Sequence, residues 1–136
     1  MSTQLFESDE KKFARCYQQA RGYHRRAELF AGQQQSTSLV FNVAAIAVEC
    51  YLIALCARHA TMPFNHNYAS LLSSVEEVMP LDPALSAGIR ALDNIFGICS
   101  LDDYHHGTPG TADKESILSI CARLAALTRS LVPDEE

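Results

Sequence analysis

One segment of this 136-residue chain limits what the rest can be. Leu39–Ala57 is a run of 19 residues broken only by Asn42 and Glu49. A stretch that long and that apolar is either a membrane span or a helix enclosed by other helices. Its two polar interruptions, the lack of basic residues just before it and its amphipathic neighbours select the enclosed helix. The remaining chain then has to supply the covering surfaces. The expected architecture is all-α, an up-and-down helical bundle of about five helices. It forms a single domain over residues 1–136, with its core in about 8–131. A hydrophobic fraction of 48% against 20% charged residues supplies the apolar material for such a core and argues against disorder.

Five helical patterns can be marked. The first runs from about Ser8 to Gly32, with Phe13, Tyr17, Ala20, Ala27 and Phe30 at helical spacing. Ser8 suits its N-cap, and Gly32 reads as its stop. The second runs from about Ser36 to Ala60, apolar on almost every side, with Pro63 beyond it. The third covers about Asn67 to Met79, turning Leu71, Leu72, Val75, Val78 and Met79 inward. The fourth opens on Asp82 as cap and Pro83 at the first helical position, and carries Leu85, Ile89, Leu92, Phe96 and Cys99. It is expected to reach about Tyr104, where His105-His106-Gly107-Thr108-Pro109-Gly110 reads as a loop. The fifth covers about Thr111 to Leu131, with Ile117, Ile120, Leu124, Leu127 and Leu131 inward. No segment alternates with period two, so no sheet is expected.

Charge and cysteine content restrict the function classes. The net charge of -5 disfavours indiscriminate nucleic-acid binding through bulk charge. Locally, Lys11, Lys12, Arg15, Arg21, Arg25 and Arg26 outnumber Asp9, Glu10 and Glu28 over residues 8–30. Residues 66–105 are acidic in return, with Arg90 the single Lys or Arg. Solvated faces of opposite sign that pack near each other are the favoured explanation, and a polyanion-binding stripe the alternative. The five cysteines are odd in number and contain no Cys-x-x-Cys pair. That suits buried thiols in a reducing cytoplasm rather than a disulfide framework. The start MSTQLFESDEKK has no apolar core, so no signal peptide is expected.

No phosphate-binding Gly loop, His-Glu-x-x-His or Gly-x-Ser-x-Gly motif is present. The densest polar cluster is Asp102, Asp103, Tyr104, His105 and His106. Asp102 and His106 are four apart and could share one helix face. Histidines answering the negative pole of a helix end are the favoured reading. General acid/base work or phosphate contact comes second, and metal ligation third. Glu49 is a lone acid in the most apolar helix, so it calls for a basic partner from another helix. Arg21 and Arg25 are the candidates, with a ligand-facing carboxylate as the alternative. His66, between two asparagines, reads as a capping or loop-fixing residue. Tyr17, Tyr23 and Tyr51 read as packing aromatics before base-stacking platforms.

Three stretches in order resemble the HEPN family of helical bundles. They are Ala27-Glu28-Leu29-Phe30 with its Gly-Gln spacer, Ala44–Leu55 with Glu49 followed by Leu52, and Pro63–Leu72 with its proline and His66. Asp102-Asp103-Tyr104 adds to the likeness, which covers about residues 10–105. The resemblance implies a two-fold homodimer and a link to RNA or nucleotides. Many members are metal-independent RNases or toxin components paired with a small nucleotidyltransferase, and others have lost catalysis and serve as binding modules. Catalytic members carry an Arg shortly before a His near the end of the fourth helix. Here Arg90 lies too far before His105, and Ile98, Cys99 and Ser100 stand where that Arg would be. The family's common Lys after the Glu element is Ile53.

The expectation is therefore a degenerate, non-catalytic module that binds a partner protein, a nucleotide or RNA, with no cofactor and no metal. The alternative is an RNase or toxin in which His105 or His106 acts as general base and Arg90 or a basic residue of the first helix steadies the phosphate. A ligand-free assembly protein is the third reading.

Overall fold

The computed structural model describes residues 8–61, 67–96 and 110–132, with the backbone alone for 94–96. Five helices and no strand are found among the described residues: α1 (Asp9–Gly32), α2 (Thr37–Arg58), α3 (Tyr68–Glu76), α4 (Pro83–Phe96) and α5 (Thr111–Arg129). The chain is an all-helical bundle.

Each helix starts where its local chemistry directs. Ser8 Oγ accepts the Lys11 N–H at 3.1 Å, and Ser36 Oγ accepts the Leu39 N–H at 3.1 Å. Asn67 Oδ1 takes the Ser70 N–H at 2.8 Å, and Asp82 Oδ2 takes the Leu85 N–H at 3.3 Å. At α5 the cap is Gly110, whose N–H donates back to Asp113 Oδ2 at 2.8 Å.

The stops differ from expectation. Gly32 is the last residue of α1, not its break. The left-handed residue is Gln34, at φ 59°. Gln34 N donates to Ala31 O and Gln35 N to Phe30 O, the paired bonds of a Schellman turn. The same turn ends α2 at Ala60, φ 56°, where Thr61 N donates to Cys56 O at 2.9 Å. The hydrogen bonds fix where the left-handed residue sits, and a side chain there is tolerated at a cost.

Helix α2 is the centre, and α1, α3 and α5 all pack on it. Its Val40, Phe41, Ala44, Val48, Tyr51, Leu52 and Leu55 are buried. By length and composition α2 could cross a membrane, but most of its surface is buried in this fold, as in a core helix. Enclosure on all sides, expected from its sequence, does not hold among the described residues. Among the described residues α4 lies on α3 and α5 rather than on α2. Leu39 stays 38% exposed and Ile46 41%, with Asn42 exposed and Val43, Glu49, Cys50 and Ile53 half-buried along the same stripe. A helix apolar all round carries no signal of which side its neighbours leave open.

The short α3 is tied to α4 from its N-terminus. Asp93 Oδ1 accepts the Tyr68 N–H at 3.1 Å and Oδ2 the Ala69 N–H at 3.0 Å. With Asn67, two side chains thus satisfy three of the amide donors that a helix start leaves open. Tyr68 then reaches the core, its hydroxyl donating to Ala45 O at 3.1 Å. Gly88 lets α4 approach α5; a Cβ there would sit 3.2 Å from Ile120 Cδ1.

Candidate functional site

α1 and α5 both rest on α2 but touch each other sparingly, which leaves a groove between them. It encloses about 540 Å3. Tyr51 of α2, with no exposed surface, and Tyr17 form its floor. One wall is Arg21, His24, Arg25 and Glu28, residues at three- and four-residue spacing on one face of α1. The other is Ala122, Ala125, Ala126 and Arg129 of α5. Tyr17, Arg21 and Arg129 also line an adjoining groove of about 1090 Å3 that runs along α1 to Asp9 and Glu10, with Arg58 on its edge.

His24 is the most constrained polar side chain of the wall, 12% exposed. Its Nδ1 lies 2.8 Å from the Tyr51 hydroxyl, and the two rings meet edge to face at 83°. Burial raises the Tyr51 pKa well above the usual phenol value, which keeps its hydroxyl protonated and able to donate. Nε2 lies 3.2 Å from Glu28 Oε2, yet off any hydrogen-bond line, and has no other hydrogen-bond partner. A carboxylate can only accept, so we assign the ring hydrogen to Nε2 and the acceptor role to Nδ1. Arg21 lies over the Tyr17 ring, 5.7 Å from its centroid. Three guanidinium groups (Arg21, Arg25 and Arg129) against the single carboxylate of Glu28 give the groove a positive balance suited to an anion.

Those residues singled out from sequence that the structure describes are separated by the fold. Arg21 and Arg25 line the groove, on the side of α1 that faces α5. Glu49 lies on another face of α2, where burial raises the pKa of Cys50 and Tyr68, the charge of Glu49 adds to both shifts and Arg15 lowers that of Cys50. Arg90 is held by Glu76 of α3 through two contacts, 2.6 Å from Nη2 and 3.3 Å from Nη1. That fork uses the face a phosphate would need, and it lowers the Glu76 pKa. His66, Asp102, Asp103, Tyr104, His105 and His106 lie outside the described residues.

The sequence reading passed over His24 and Arg129. The signal for His24 was its placement between Arg21, Arg25 and Glu28 on one face of the first helix. Arg129 belongs to the far end of the chain, and nothing local links it to α1. Among the described residues no cluster of His, Cys, Asp and Glu could hold a metal ion. Thiol chemistry is also poorly served. Burial pushes Cys50 and Cys56 up to about 11 and Cys121 up to about 12, so these sulfurs stay protonated near neutral pH.

Comparison with known proteins gives no matching family model, no similar curated protein and no similar solved structure.

Proposed function

We propose that this chain is a HEPN-like helical module that binds a nucleotide or RNA phosphate in the α1–α5 groove without cleaving it. The observation that carries this reading is the groove itself: Arg21, Arg25 and Arg129 around a His24 fixed by Tyr51. Arginine forks suit phosphate oxygens, and the small alanine side chains of the α5 wall leave room for the body attached to them. Binding is favoured over cleavage because Arg90 is already engaged by Glu76, and no other Arg stands near His105 and His106 in sequence. A two-fold homodimer, with the half-open stripe of α2 as its seam, is part of the same reading, as is a nucleotidyltransferase-type partner protein.

The test is equilibrium titration with adenosine monophosphate and with a short single-stranded RNA. Arg21→Glu/Arg25→Glu should weaken binding at least about tenfold, the scale of losing charge-assisted hydrogen bonds. Arg26→Glu is the control, because Arg26 lies over the Tyr23 ring and does not line the groove. Equal losses in both variants would show that only bulk charge attracts the ligand. No saturable binding by the wild type would end the proposal.

A further inference from the structure

The reading above leaves one detail of the groove unused. His24 Nε2 is buried without a hydrogen bond, and the carboxylate beside it, Glu28, is a side chain 61% exposed. A buried donor without a partner is costly, and a protein interior rarely leaves one so. Glu28 stands 3.2 Å away and is misaligned, so it offsets only part of that cost. Its exposure means it can rotate into solvent with little packing lost. Nδ1 is fixed by Tyr51, so the ring cannot turn to follow it.

We infer that Glu28 is an internal stand-in for the ligand's phosphate, which displaces it from His24 Nε2 when a phosphate ester enters the groove. The inference rests on the anion-binding reading of the same groove and adds which group the anion replaces. A phosphate oxygen accepts the Nε2 hydrogen, while Arg21 and Arg25, one turn and a residue away on the same face, take its charge.

A double-mutant cycle tests this with inorganic phosphate and adenosine monophosphate as probes. Glu28→Gln should tighten both about three- to tenfold, the size of an ordinary coupling between neighbours. His24→Ala should loosen both about tenfold. In the His24→Ala background Glu28→Gln should gain nothing, since the position it vacates no longer offers a donor. An undiminished gain there would mean plain charge repulsion and would overturn the displacement, even with Arg21→Glu/Arg25→Glu still abolishing binding. Far-ultraviolet circular dichroism of each variant, with unchanged helix content, secures the comparison.

Discussion

The carboxylate of Asp93 accepts the backbone N–H of Tyr68 across the α3–α4 boundary, and the neighbouring N–H of Ala69 with its second oxygen. A helix of nine residues cannot hold itself together in water, so α3 depends on this contact and on Asn67. Asp93→Ala should cost about 1–2 kcal/mol of unfolding free energy. Asp93→Asn should recover part of it, because an amide oxygen can still accept one of the two bonds. Urea denaturation measures both, and an Asp93→Ala protein as stable as wild type would remove this role.

Arg90 is paired with Glu76 across the α3–α4 contact. Because both it and Glu76 are partly exposed, Arg90→Ala should lower stability by no more than about 1 kcal/mol. It should leave phosphate affinity in the α1–α5 groove unchanged. A marked fall in binding, with stability intact, would return Arg90 to a functional role.

Alkaline pH should destabilise the fold earlier than in a typical protein. Burial raises Cys50, Cys56 and Cys121 from an ordinary value of 9.0 to about 11, about 11 and about 12, and raises Tyr51 and Tyr68 as well. Above pH 9 the unfolded chain releases protons that the folded chain keeps, so the gradient of stability with pH is negative there. The stabilisation is complete below about pH 9 and is lost as pH rises through about 11 to 12. Urea midpoints at pH 7, 9 and 10.5 should fall over the last interval, and a flat profile would contradict it.

Ala60 pays for a left-handed turn that glycine adopts freely. Ala60→Gly should stabilise the protein by about 0.5–1 kcal/mol, the steric relief less the added freedom of the unfolded chain. Gln34→Gly should behave likewise. Thermal unfolding reads both, and destabilisation by either would mean its side chain makes a contact worth more than the strain.

The dimer can be tested at the open stripe of α2. Sedimentation at micromolar concentration should find a dimer for wild type and a monomer for Ile46→Glu, with the same helix content. A wild type that sediments only as monomer removes the two-fold assembly from the functional reading.

Helix identity was largely legible because capping residues and apolar spacing are local. Ser8, Ser36, Asp82 and Pro83 mark their starts without reference to anything distant. The uniform apolarity of α2 hid which side stays open, since direction comes from contrast and that helix has none. The groove was half legible. Arg21 and Arg25 stand out in the sequence both as members of a basic stretch and as partners for the carboxylate of Glu49, and nothing local decides between the two roles. Their facing wall on α5 is about a hundred residues away in the chain. His24 drew no notice because its importance lies in a bond to Tyr51, 27 positions on.

The two walls of that groove belong to α1 and α5, about a hundred residues apart in sequence. A ligand settling between them would work as a clasp, joining segments that folding otherwise brings together mainly through α2. Occupancy would therefore be felt by the whole molecule. A ligand at ten times its dissociation constant would add about 1.4 kcal/mol to global stability. In a domain of this size that is a melting-point rise of several degrees, roughly 4–8 °C, visible in a thermal scan without any labelled probe.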